Sequence, residues 1–325
     1  MRIRLVVNAF ASSVTARNTV VVHQVLSRGN DVDVVETNRR GHATRFSQDA
    51  ARQGFDVVIG YGGDGTLNEV ATGVAGTNTA LGVLPGGSTN VFARTLGMPN
   101  DPVEAVHLLA AGIARNDIEP IGLGHVNGRY FCFHTGVGFD AAVVNHVERH
   151  GSLKRWAGHP LFIYAAMRTM ANYDRTQPHF EVITSDSLDS SISRVSTSDA
   201  ATGRDRDPVE GYFTIVLNTN PYTYLGNRPL DIAPSATLDN GLVVVTFRSL
   251  AVTAVLRGLS GALRGGGVKP SATLDVQTDV EALRITASEP FPYQLDGDYL
   301  GELTSLDFRH VPAAVRLVRP VLAPG

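Results

Sequence analysis

Cysteine is almost absent. Cys132 is the only one in 325 residues, so no internal disulfide can form, and a reducing, cytoplasmic setting is the expectation. Long apolar runs are absent too. No stretch reaches the roughly 18–20 uninterrupted apolar residues that cross a bilayer, so any membrane contact is expected to be transient and peripheral, with no transmembrane segment. Met1 to Val7 reads as a strand ending at Asn8, without the long apolar run and cleavage site of a signal peptide. No excess of one charge stands out: a net charge of −3 provides no global field for nucleic acid or an anionic bilayer, and no nucleic-acid partner is expected. Neither a G-x-S-x-G elbow nor a Walker A loop occurs, which excludes the common hydrolase and P-loop routes. Oligomeric state is not legible; a homodimer is compatible with the sequence but not demanded by it.

What is present is enough apolar material, 43% of residues, for real cores, and a length that suits two domains. The first part alternates strand and helix signals. Leu5-Val6-Val7, Val32 to Val35, Val57-Val58-Ile59 and Leu81 to Leu84 read as strands. Residues 17–28 read as a helix, and Ala43, Phe46 and Ala50 lie three and four apart, as on one helix face. Leu67, Val70, Ala71 and Val74 follow the same rule, and Gly76 can end that helix. Asp101-Pro102-Val103-Glu104 is a helix start with an N-cap Asp and Pro at the first helical position. Such alternation predicts a parallel α/β sheet with right-handed crossovers.

After about residue 125 the pattern changes. Tyr130 to His134, Glu181 to Ile183, Tyr212 to Leu217, Leu242 to Phe247, Leu274 to Gln277 and Leu283 to Thr286 read as strands, with one helix expected at 160–171. This predicts an antiparallel, sandwich-like second domain. Residues 184–208, rich in Ser, Asp, Thr and Arg, read as a surface loop.

Two glycine-rich segments carry the chemistry. Gly62-Gly63-Asp64-Gly65-Thr66 joins a strand to a helix. Glycines there allow close approach to a phosphate and positive φ, while the helix start supplies N–H donors and the acid can meet a metal-bound phosphate. Pro85-Gly86-Gly87-Ser88-Thr89-Asn90 repeats the arrangement one strand later. In a parallel sheet both loops leave the carboxyl edge, so they can share one polyphosphate site. The bland alternative is a pair of tight turns with N-caps.

These blocks resemble the diacylglycerol kinase catalytic-domain family, which includes bacterial soluble lipid kinases and is related to sphingosine and ceramide kinases. The resemblance is carried by GGDGTLNEV at 62–70, LPGGSTNVFAR at 84–94, TGVGFDA at 135–141, LKRWAG at 153–158 and YQLDGDYLGE at 293–302. It implies an N-terminal α/β nucleotide-binding domain over 1–133, rejoined by 306–325, and a C-terminal β-sandwich domain over 134–305, with the ATP site in the cleft between. It implies an ATP- and Mg2+-dependent lipid kinase, with diacylglycerol as the default substrate at a membrane surface. Nucleotide contacts fall on Asn8, Gly62, Gly63, Asp64, Gly65, Thr66 and Glu69, and on Gly86, Gly87, Thr89 and Asn90. The general base falls on Asp296, with Asp298 two residues on where the family usually has Glu. Asp231 and Asp239 fall where bacterial members hold a structural magnesium, though Asn240 replaces the usual Asp; Asp140 matches an Asp of the same water network. Asn8-Ala9-Phe10-Ala11-Ser12 keeps only the Asn of the family's NPxSG.

Asp296 also makes chemical sense unaided, since phosphoryl transfer to an alcohol needs an oriented base; a plain Asp-Gly hairpin turn is the rival reading. Two alternatives keep the fold. One is an NAD kinase-like small-molecule kinase, whose further substrate motifs are not found. The other is a non-catalytic nucleotide- or lipid-binding relative. Weaker signals have bland readings. Gly136 to Ala141 fits G-x-G-x-x-A but lacks an acid about 20 residues on, so it reads as a turn into a helix. His146 and His150 do not form H-E-x-x-H. Lys154, Arg155, Trp156 and Arg168 beside Leu161, Phe162 and Tyr164 read equally as a membrane-facing group or a packed helix.

Overall fold

A computed structural model describes residues 1–149, 178–185 and 207–322. The helix expected at 160–171, His150, the group around Lys154 to Arg168, and most of the loop read at 184–208 lie outside them. The chain divides into two compact units, residues 1–123 with 311–325, and residues 124–310. Against the expected boundaries, residues 124–133 go with the second unit, because strand β5 (Ile118–Val126) turns back on β6 (Arg129–Phe131) and pairs with it antiparallel.

The first unit is built on β1 (Arg2–Val7), β2 (Asp31–Glu36), β3 (Val57–Gly62) and β4 (Ala80–Pro85), all parallel, in the spatial order β2-β1-β3-β4. Val57, Val58 and Ile59 are completely buried, which explains a continuous apolar run in place of alternation. Helix α1 (Ala16–Leu26) leads from β1 out to the edge strand β2. Helices α2 (His42–Arg52) and α3 (Asp64–Val74) lead back across the sheet, so right-handed crossovers put them on the opposite face. The short helix α4 (Val91–Thr95) and then α5 (Pro102–Arg115) follow β4, and Asp101 caps α5 by accepting the N–H groups of Val103 and Glu104 at 2.8 and 3.0 Å. The last strand, β16 (Asp298–Val318), ends beside β4: Arg316 and Leu317 pair parallel with Ala80 and Leu81.

In the second unit β14 (Leu274–Val280), β13 (Leu242–Phe247), β10 (Phe213–Leu217), β7 (His134–Gly138) and β15 (Ala282–Leu295) lie side by side, antiparallel throughout. β8 (Phe180–Ser185) and β9 (Val209–Gly211) extend the sheet beside β15, and β11 (Thr223–Leu225) pairs with β12 (Arg228–Leu230). The sheet buries both faces. Phe213, Ile215, Val243, Val245 and Phe247 share one core with Phe139 and Val143 of α6 (Phe139–Arg149) and Ala262 of α7 (Val252–Leu263). Val216, Leu242 and Val244 share the other with Leu283, Ile285, Phe291, Leu306 and Phe308. Helix α7 was not expected; Gly258 and Gly261 interrupt its apolar period, and packing on β13 supplies what propensity withholds.

Candidate functional site

Strand order fixes where the first unit can bind. The chain leaves β1 for β2 on one side and returns to β3 on the other, so the carboxyl ends of β1 and β3 form a switch point where ligands of open α/β sheets bind. Three loops meet there. The Asn8 N–H bonds to the Tyr61 carbonyl at 2.9 Å, the Ser13 N–H to the Gly86 carbonyl at 2.8 Å, and the Gly86 N–H to the Gly62 carbonyl at 2.8 Å. Asn8 Nδ2 donates to Thr66 Oγ1 at 2.9 Å. The structure therefore brings Asn8, Gly62, Gly63, Gly86 and Gly87 together.

The reason for glycine differs from the expectation. Positive φ does not occur at Gly62, Gly63, Gly65, Gly86 or Gly87, and Gly63 has φ −80°. The requirement is closeness of two backbones. A Cβ on Gly86 would lie 2.8 Å from Gly62 Cα, and one on Gly87 would lie 2.8 Å from Gly63 Cα. The second loop is closed from within: the Gly87 N–H donates to Asn90 Oδ1 at 2.7 Å, and Asn90 Nδ2 donates to the Gly87 carbonyl at 2.8 Å. Asn90 holds this with φ 51°, a left-handed conformation that Asn tolerates.

The acids of the first block face protein amides. Asp64 Oδ2 and Oδ1 accept the N–H groups of Val91 and Phe92, each at 3.0 Å, and so cap α4 from the first turn of α3. Glu69 accepts the N–H groups of Gly41 and Ala43 at 2.8 and 3.0 Å and caps α2, whose N-cap Gly41 has no side chain for the task. Exposed Gly65 and Ser88, with half-buried Thr89, remain toward solvent. The start of α3 thus presents a helix N-terminus beside two touching glycine loops, an arrangement suited to phosphate oxygens.

In the second unit Asp296 and Gly297, with φ 47° and 84°, form a two-residue turn of type I′ between Leu295 and Asp298. The hairpin reading of Asp296-Gly297 is thus met. The Asp296 carboxylate is buried: Oδ2 accepts the Cys132 N–H at 2.7 Å, and Oδ1 accepts those of Phe133 and His134 at 2.9 and 3.0 Å. Asp298 lies at the turn exit, partly exposed.

The chain's likeness to known proteins bears on this geometry. The model of the diacylglycerol kinase catalytic domain matches residues 2–126. A diacylglycerol kinase of Bacillus subtilis (strain 168) is 27% identical over 304 residues, 92% of this chain and 89% of the relative. A Pseudomonas aeruginosa (strain UCBPP-PA14) protein named "Probable lipid kinase YegS-like" is 31% identical over 301 residues, 91% of this chain and 87% of its own. This chain belongs to the diacylglycerol kinase catalytic domain family. The crystal structure of a diacylglycerol kinase from Bacillus anthracis str. Sterne shares the fold, with a TM-score of 0.67 at 20% identity, covering 98% of this kinase and 96% of that chain. Kinases of this family use ATP.

A polar group around Asp296 escaped the sequence reading. Tyr222 Oη donates to Asp140 Oδ1 at 2.5 Å, Gln294 Nε2 donates to Asp140 Oδ2 at 2.9 Å, and the Gly297 N–H donates to Gln294 Oε1 at 2.8 Å. Burial pushes the Asp140 carboxyl above its ordinary range, and the two donors pull it back. The His134 ring lies against that of Tyr222, tilted by 38° with centroids 4.2 Å apart, and burial lowers its imidazole to about 3. Only Asp140 and Asp296 carried a sequence signal; Tyr222 and Gln294 sit in strand-like context that advertises packing.

The residues at which the resemblance puts a structural magnesium lie in the second unit. Asp231 Oδ1 accepts from Asn220 Nδ2 at 2.8 Å, and Asp239 is exposed. Among the described residues no three His, Cys, Asp or Glu side chains converge where a metal could sit, and no helix is long and apolar enough to cross a membrane.

Proposed function

We propose that this kinase transfers the γ-phosphate of ATP to the hydroxyl of a lipid alcohol, diacylglycerol in the first instance. The observation that carries the reading is the convergence of two glycine loops at the switch point, where Gly62 and Gly63 at the start of α3 meet Gly86 and Gly87. Backbone N–H groups and the positive end of α3 hold the nucleotide phosphates there. Asn8, Thr66 and Thr89 add side-chain contacts, and Asp64 and Asn90 keep the loops in shape. Magnesium arrives as the ATP complex and neutralises charge on the transferred phosphate. The lipid relatives by name support the acceptor class.

Asp296 serves as the general base that accepts the proton of the lipid hydroxyl. Three backbone N–H groups aim its carboxylate and stabilise the charge. The nucleotide belongs to the first unit and the acceptor-activating carboxylate to the second. Peripheral contact with a membrane surface delivers the acceptor.

The test offers radiolabelled ATP with a panel of lipid alcohols in detergent micelles, and NAD beside them. Labelled lipid is expected and labelled NADP is not; the reverse would overturn the reading. Asp296→Asn should bind ATP as before and turn over roughly 100-fold or more slowly, the scale of a lost general base.

A further inference from the structure

We propose that Gln294 is a positioning residue for the Asp296 turn, acting through a buried relay from Tyr222 by way of Asp140; this rests on the reading of Asp296 as the base. Gln294 is completely buried and spends both ends of its amide: Nε2 on Asp140 at 2.9 Å, Oε1 on the Gly297 N–H at 2.8 Å. The N–H of Asp296 bonds to the His134 carbonyl at 2.9 Å. The peptide units on both sides of Asp296 are thus clamped, one to β7 and one to Gln294. A shift of about 1 Å at a reacting group can cost roughly 100-fold in rate.

The residue types follow from donor and acceptor needs. A side-chain amide offers an acceptor to Gly297 and a donor to a buried carboxylate at once, from two separate atoms and at any pH. Tyr222 supplies the second donor, so both Asp140 oxygens are satisfied. Gly136 lies opposite Gln294 in the β7–β15 register, and a Cβ there would overlap the Asp140 carboxylate. That glycine makes room for the pair.

The experiment measures kcat and KM for ATP with diacylglycerol in detergent micelles as acceptor, for Gln294→Met, Gln294→Glu and Tyr222→Phe, with urea midpoints for each. Gln294→Met removes both bonds at nearly constant volume. It should lower kcat about 100-fold with KM for ATP within roughly threefold, as for a misplaced base. Gln294→Glu keeps the acceptor for Gly297 but donates to Asp140 only when protonated, so its kcat should recover toward acid pH where the wild type falls. Tyr222→Phe keeps the ring contact with His134 and should lower kcat less. Wild-type kcat in folded Gln294→Met overturns the proposal. Where that variant does not fold, wild-type kcat in Tyr222→Phe, together with no acid recovery in Gln294→Glu, does the same. An active Asp296→Asn would instead sink the base assignment.

Discussion

Gly63 and Gly87 approach so closely that a methyl group on Gly87 would lie 2.8 Å from the Gly63 Cα and 3.1 Å from Asn90 Oδ1. Backbone cannot yield as a flexible side chain would. Gly87→Ala should therefore cost about 1–3 kcal/mol of stability, the scale of an overpacked site, and weaken ATP binding by pushing the two loops apart. Gly266→Ala is the control, because a Cβ there meets nothing within 4 Å. Urea unfolding and equilibrium ATP binding check both. Equal behaviour of the two variants would show that the loops tolerate separation.

Asp64 links α3 to α4 through the N–H groups of Val91 and Phe92. Asp64→Asn keeps one acceptor and turns an NH2 toward the other N–H. A loss of about 1–2 kcal/mol is expected, as for a lost helix cap, together with reduced turnover. Urea midpoints separate this from a pure phosphate contact, which would leave stability unchanged.

The parallel half of the fold was readable because buried strands and amphipathic helices leave unlike periods, and because Asp101-Pro102 spells a helix start. The glycine loops were readable as a candidate site, yet the geometric cause of their glycines was not: a contact between Gly62 and Gly86 depends on strands β3 and β4 lying in register, which no local window contains. The carboxylates of Asp64 and Glu69 looked free to meet ligands, and they cap helices 27–28 and 26–28 residues away in sequence. Gln294 and Tyr222 were invisible for the same reason; their partner Asp140 is 154 and 82 residues distant.

His134 sets an acid limb on stability. Its imidazole is held down to about 3 by burial, against an ordinary 6.5. Above pH 6.5 both folded and unfolded states hold it neutral. As pH falls below 6.5 the unfolded state takes up a proton that the folded state refuses, so stability is lost down to about pH 3. The slope is about 1.4 kcal/mol per pH unit at its steepest. Asp140, raised by burial, works with the opposite sign: its contribution is present at low pH and lost as pH rises. Comparing the wild type with His134→Phe, which keeps an aromatic ring beside Tyr222, isolates the imidazole. Urea unfolding at pH 7 and pH 5 should show the wild type losing about 2 kcal/mol more than the variant. Parallel losses would mean that the imidazole takes up its proton in the folded state.

The end of β16 closes the first unit's sheet. Leu317 is completely buried beside β4, and the chain is tied further by the Gly76 N–H to the Ala314 carbonyl at 2.9 Å and the Val321 N–H to the Leu108 carbonyl at 3.1 Å. Removing the segment would uncover the β4 edge and the apolar surface beneath it, so it acts as a structural strand of the first unit although Arg316 pairs with Ala80, 236 residues earlier in the chain, a non-local pairing of the kind that slows folding. Leu317→Ala should cost about 2–5 kcal/mol through the cavity it leaves. Leu303→Ala, in the same strand but 38% exposed, should stay within about 0.5 kcal/mol. If the two substitutions shift the urea midpoint equally, the terminal segment is not part of that core.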